Sequence, residues 1–163
     1  MIYVIIGQSG SGKTSFVKEK FLTQPCMIRK DILPITVSGK YIALGKYEIG
    51  IRTEGTDTLS YSAAPKIKQQ ISRLKGKDII MEGDRITNAG IMKFLAASGE
   101  PVKMFLVCCS LKTSMERLRA AGSTITPAFV KATKTKSKKL FLEFGPRFHG
   151  EVINTEGGKP WTN

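Results

Sequence analysis

Apolar positions along the chain fall into short continuous runs separated by longer amphipathic stretches. Ile2–Ile6, Cys26–Ile28, Asp78–Met81, Val102–Cys109 and Glu151–Ile153 have strand length, with Cys26–Ile28 the weakest. Between them, Gly12–Leu22, Lys66–Leu74, Ala89–Ala97, Leu111–Ala121 and Pro127–Phe144 have helical character. In Leu111–Ala121 the apolar residues Leu111, Met115 and Leu118 recur at helical spacing, while Lys112, Glu116 and Arg119 face elsewhere. Strands that alternate with helices predict an α/β protein: a parallel sheet of about five strands, flanked by helices on both faces.

One stretch departs from this alternation. From Leu33 to Ser62 the chain is β-prone and punctuated by glycine, with Ser38-Gly39 placed as a hairpin turn between two short apolar runs. Gly45, Gly50 and Gly55 imply loops that approach a neighbour closely. The pattern predicts a small β-rich insertion after the second strand. Ligands of open α/β sheets sit beyond the carboxyl ends of the strands, so residues 33–62 are expected to form an acceptor site within a single domain spanning 1–163. Tyr47, Thr56, Asp57 and Ser60 are its candidate lining residues, with Tyr41 and Tyr61 beside them; a tyrosine taken singly is more often a packing residue.

The first strand runs directly into Gly7-Gln8-Ser9-Gly10-Ser11-Gly12-Lys13-Thr14-Ser15 and then a helix. That is a complete G-x-x-x-x-G-K-[ST] pattern in the strand–loop–helix context it requires. The glycines let the backbone wrap with its N–H groups inward, and the helix N-terminus adds positive potential. Lys13 is placed to reach the β- and γ-phosphates of ATP, and the Thr14 hydroxyl to hold Mg2+. A nucleotide triphosphate is the expected cofactor.

A second acidic element, Asp78-Ile79-Ile80-Met81-Glu82-Gly83-Asp84-Arg85, is a buried strand ending in carboxylates. Glu82 and Asp84 stand two apart, so a continuing strand would turn both to one side. One would organise the magnesium, and one would accept the proton of an attacking hydroxyl. Arg85 would clamp a phosphate. Farther along, Glu116-Arg117-Leu118-Arg119 leads into Gly122 and a small polar segment, which reads as a lid over 117–126. Arg117 or Arg119 would neutralise the transferred phosphoryl group.

Charge adds a partner to this picture. Twenty-six Lys and Arg against thirteen Asp and Glu leave +13 over 163 residues, an excess that favours a polyanion through counterion release. Lys131, Lys134, Lys136, Lys138 and Lys139 fall within nine residues, and no acid occurs between Arg117 and Leu142. Lys131, Lys134 and Lys138 share one helical face, so DNA is the expected partner. The three cysteines, Cys26, Cys108 and Cys109, show no metal-ligand spacing, and Cys108 and Cys109 read as small buried hydrophobes. No apolar run has membrane-spanning length and no signal-peptide core is visible, so a cytoplasmic protein without a membrane partner is expected. His149, the only histidine, cannot build a catalytic triad and reads as structural.

The phosphate loop, the EGDR strand end, the Glu-Arg lid helix and the last strand, in that order, resemble P-loop kinases of the nucleoside monophosphate kinase type, which implies the three-layer P-loop NTPase fold. In thymidylate kinases an Asp-Arg-Tyr follows the third strand. Here Asp84-Arg85 is followed by Ile86, and the Arg-Glu-Pro-Gly after the second strand is missing. LGKYEIGIRTEGTDTLS together with EGDR resembles instead a group of small phage-encoded P-loop kinases, some of which phosphorylate the hydroxymethyl group of 5-hydroxymethyluracil within DNA. The resemblance implies that Asp31, after the second strand, is an alternative proton acceptor, and that Asn154 and Thr155 contact adenine. Three functions follow as expectations: a DNA hydroxymethyl kinase, a free nucleoside or nucleotide kinase, and a P-loop DNA-binding ATPase without phosphoryl transfer.

Overall fold

The structure is a computed structural model and describes residues 1–48, 55–60 and 62–156. Its elements are β1 (Ile2–Gly7), α1 (Lys13–Lys20), β2 (Cys26–Arg29), β3 (Ile35–Ser38), β4 (Tyr41–Leu44), a 3-10 turn (Thr56–Thr58), α2 (Ala64–Arg73), β5 (Asp78–Glu82), α3 (Ala89–Ala97), β6 (Val102–Cys108), α4 (Leu111–Ala120), α5 (Pro127–Phe144) and β7 (Glu151–Asn154). The strands form one sheet in the order β2-β3-β4-β5-β1-β6-β7. β4, β5, β1, β6 and β7 are mutually parallel, so the parallel part has the expected number of strands, but with β4 where the sequence pattern put Cys26–Ile28. β3 pairs antiparallel with β4, and β2 antiparallel with β3, so these two extend the sheet on one side.

The strand that flanks β5 is therefore β4, from the glycine-punctuated stretch, while the weak Cys26 run lies at the outer edge. Burial explains the choice. A strand beside β5 must be apolar on both faces. Ala43 and Leu44 are fully buried, whereas all four β2 residues are exposed. The turn at Ser38-Gly39 is present: Ser38 pairs with Tyr41, leaving Gly39-Lys40 as a two-residue hairpin loop.

β1 shows why the sheet has three layers. Val4 and Ile6 pack with Ile67, Ile71, Ile91, Leu95, Leu140 and Phe144 of α2, α3 and α5. Ile5, pointing the other way, packs with Phe16, Val17 and Phe21 of α1 and its end, and with Ile80 and Phe105. Side-chain caps start the later helices: Asn88 accepts from the Gly90 amide at 2.7 Å, Ser110 from Thr113 at 3.1 Å and Thr126 from Phe129 at 3.3 Å. Cys109 is buried but Cys108 is only partly so. Among the described residues no helix is long and apolar enough to cross a membrane.

Candidate active site

The phosphate loop occupies the turn from β1 into α1. Gly10 has φ 74°, and a Cβ there would stand 2.6 Å from the Ser114 carbonyl oxygen, so only glycine fits. Lys13 folds back over the loop, donating to the carbonyls of Gly7 (3.2 Å) and Gln8 (2.9 Å), and is 8% exposed. The Gln8 side chain is a strut rather than a ligand group. Its Nε2 donates to the Cys109 carbonyl (2.9 Å) and to Ser114 Oγ (2.7 Å), tying the loop to the β6–α4 junction. The Ser9 amide donates to Thr133 Oγ1 of α5 at 3.2 Å. Ser11 is buried beneath the loop, and Ser15 lies exposed on the first turn of α1.

Opposite the loop stands Glu82, the last residue of β5 and 2% exposed. Its Oε1 accepts from Thr14 Oγ1 at 2.8 Å and from the Tyr47 hydroxyl at 3.4 Å. Burial pushes its pKa up from 4.5 to about 7; the charge of Asp57 adds to this, while Lys13 and the two hydroxyl hydrogen bonds oppose it. The expected alignment of Glu82 with Asp84 does not occur. The strand ends at Glu82, and Gly83 takes φ 106°, which rotates the chain out of the two-residue period. Asp84 consequently pairs with Lys136 of α5 at 2.9 Å. Arg85 donates through Nε to the Leu59 carbonyl at 3.1 Å.

Thr14 and Glu82 offer a hydroxyl and a carboxylate side by side, hard oxygens suited to Mg2+. Among the described residues no cluster of three His, Cys, Asp or Glu could hold a metal without outside ligands. Asp84, engaged with Lys136, stands apart from this pair.

The acceptor residues expected in 55–60 make their described contacts mostly with the end of β5. Thr56 is buried and its hydroxyl donates to the Glu82 carbonyl. Asp57 Oδ1 accepts from the amides of Asp84 (2.9 Å) and Arg85 (3.5 Å). Ser60 is exposed and contacts Ser62. Gly50 and Tyr61 lie outside the described residues. Among the described residues, Lys18, Leu22, Cys26, Ile28, Tyr47 and Glu48 line a cleft of 660 Å³, a size suited to a small ligand. Tyr47 links it to Glu82. Glu48 escapes a sequence reading that takes Cys26–Ile28 as the second parallel strand and 33–62 as an insertion after it. With β4 in that place, Glu48 follows the carboxyl end of a core strand, where ligand groups belong.

Asp31 is drawn away from the loop. Its carboxylate accepts from Gln70 Nε2 (3.2 Å) and the Ile32 amide (2.7 Å) and pairs with Arg73 (3.4 Å). On the other flank, α4 separates the two arginines of the expected lid. Arg117 donates to Thr155 Oγ1 (2.9 Å) and to the Thr155 carbonyl (2.6 Å), and Thr155 in turn donates to the Ser11 carbonyl (2.8 Å). Arg119 is exposed. Asn154 Oδ1 accepts from the Glu156 amide. Glu156, which the sequence reading missed, accepts from Thr113 and Ser110 and is held below the usual carboxylate range by those bonds. Lys131, Lys134 and Lys138 are exposed along α5. Truncating Arg117 removes two charge-assisted hydrogen bonds, so R117A should lose about 1.5–3 kcal/mol in urea denaturation. R119A should lose less than about 0.5 kcal/mol by the same measurement.

No protein-family model and no curated protein sequence matches the chain. Solved structures do. Deoxyadenosine kinase from M. mycoides with bound dATP aligns with a TM-score of 0.52 at 13% identity, covering 96% of this chain and 92% of that one. The same kinase with products dCMP and a flexible dCDP bound aligns with a TM-score of 0.50 at 11% identity, covering 94% and 90%. The chain thus has the P-loop NTPase fold, in an arrangement similar to that of these deoxyadenosine kinases.

Proposed function

We propose that the chain is an ATP- and Mg2+-dependent phosphotransferase whose acceptor is a hydroxyl of a free deoxynucleoside or nucleotide. The observation that carries this reading is the juxtaposition of Lys13, Thr14 and Glu82 with the cleft walled by Tyr47 and Glu48. Mg2+ would supply charge neutralisation on the β- and γ-phosphates, held by Thr14 with Glu82 behind it. Lys13 leaves the loop carbonyls for the phosphates, and Arg117 steadies the nucleotide side of the loop through Thr155. The acceptor lies in the cleft, where Glu48 takes its hydroxyl proton. Its oxygen then bonds the γ-phosphorus as the bond to the β-phosphate oxygen breaks, and ADP leaves. Asp31 and Asp84 are engaged with Arg73 and Lys136 away from the cleft that Glu48 lines, so position in the cleft favours Glu48 as the base.

The lysine face of α5 favours a second reading, in which the acceptor is a hydroxyl carried on DNA, such as the 5-hydroxymethyl of 5-hydroxymethyluracil. Lys131, Lys134 and Lys138 are exposed together in a chain of net charge +13. Incubation with γ-labelled ATP separates the readings when a panel of deoxynucleosides and monophosphates is run beside unmodified and 5-hydroxymethyluracil DNA. Label in a mononucleoside or mononucleotide is the expected result. Label only in modified DNA, lost steeply as salt is raised, would replace the first reading with the second. Phosphate release without labelled product would refute both and leave a P-loop ATPase.

A further inference from the structure

We infer that Asp57, with Thr56, forms a bracket that sets the position of the Glu82–Arg85 corner, making Asp57 a positioning residue and not an acceptor ligand. This rests on the phosphotransferase reading for its consequence but not for its geometry. Four contacts define it. Thr56 Oγ1 donates to the Glu82 carbonyl, and Asp57 Oδ1 accepts from the amides of Asp84 and Arg85. Arg85 Nε closes the far side on the Leu59 carbonyl. The first three engage backbone groups at or just beyond the end of β5, so the segment completes what β5 cannot.

Close packing shows that the corner is built around this carboxylate. Gly83 has φ 106°, and a Cβ there would stand 2.6–2.8 Å from all three atoms of the Asp57 carboxylate group. Gly55, at φ 67°, brings the other end of the segment so near that a Cβ would lie 2.5 Å from Glu82 Oε1 and 2.7 Å from the Tyr47 hydroxyl oxygen. Two glycines at positive φ therefore let the bracket seat against Glu82 from both sides. The Gly55 amide is itself anchored to the Lys46 carbonyl at 2.8 Å, next to Tyr47. The bracket thus ties the cleft wall to the acid facing Thr14. A shift of about 1 Å in such a group costs on the order of 10²-fold in rate.

The test compares D57A with D57N, because an asparagine oxygen still accepts from both amides while the charge is gone. Under the bracket, D57A loses about 10²-fold in kcat with KM for ATP and acceptor unchanged. D57N, whose neutral acceptor bonds about half as strongly, stays within about tenfold of the native chain. Backbone amide exchange at Asp84 and Arg85, read by NMR, becomes fast in D57A and stays protected in D57N. T56V, nearly isosteric, serves should D57A not fold, and lowers kcat without weakening binding of a fluorescent ATP analogue. Equal loss in D57A and D57N, with acceptor KM raised and amide protection unchanged, would overturn the inference and make Asp57 an acceptor ligand. A native chain that transfers no phosphate would sink the functional reading alone, since amide exchange would still decide the bracket.

Discussion

K13M loses about 10³-fold in phosphoryl transfer measured under single turnover, the largest effect of any single change expected in this protein. Lys13 is the cation that can leave the Gly7 and Gln8 carbonyls for the phosphates, and it does so from an almost fully buried position. In a site of low local dielectric, one fixed charge at the transferred group does the work that several exposed ones cannot. Methionine keeps the stem and its packing, so the loss isolates the ammonium group. The substitution also reaches across to Glu82, whose pKa Lys13 holds down. In K13M that acid titrates above its native value of about 7. Carbon-13 NMR of the glutamate carboxyl reads this shift separately from the rate.

E82Q has two expected results of opposite sign. Transfer falls by about 10²-fold, because the carboxylate facing Thr14 is replaced by a neutral amide. Stability without nucleotide rises at alkaline pH. The folded-state pKa of Glu82 lies above its ordinary value of 4.5, at about 7. The folded chain therefore holds this proton more tightly than the unfolded chain does. Stability from this group is complete below about pH 4.5, falls as pH rises, and is lost above about 7, a difference of about 3 kcal/mol. Glutamine does not ionise. E82Q and the native chain should unfold at similar denaturant concentrations at pH 4, and E82Q should be the more stable at pH 8. Equal urea midpoints at pH 8 would show that Glu82 is not strained in the native fold. Under the proposed function, the acid beside Thr14 is kept at a cost in stability, the usual compromise of a functional site.

The phosphate loop was legible because its chemistry is local. Glycine spacing, Lys13 and Thr14 lie within one turn of chain between two unmistakable elements, and the structure places them accordingly. Glu82 was legible for the same reason, as the end of a continuous apolar run. What could not be read was anything decided by packing across the sheet. Cys26–Ile28 and Ile42–Leu44 are equally short apolar runs, and only the fit of Ala43 and Leu44 between two layers selects β4 as the neighbour of β5. Counting Cys26–Ile28 as the second parallel strand made the 33–62 stretch read as an insertion, when β3 and β4 belong to the main sheet. Asp57 looked like a pocket residue because its composition suits a pocket. Its actual partners are amides 27 and 28 residues away, a pairing that no local pattern encodes. The partners of Asp31, Gln70 and Arg73 on α2, are likewise set by helix packing.

The hairpin loop at Gly39-Lys40 offers a practical handle. Tyr41 begins β4 in register with Asp78, the first residue of β5, so this loop lies at the amino edge of the sheet, the end opposite the phosphate loop. Lys40 is exposed there. A cysteine introduced in its place, with the exposed Cys26 of the cleft changed to serine, would carry a fluorophore or anchor the protein to a glass surface without obstructing either the nucleotide or the acceptor. Single molecules mounted this way would present the carboxyl edge of every sheet to solution in the same orientation.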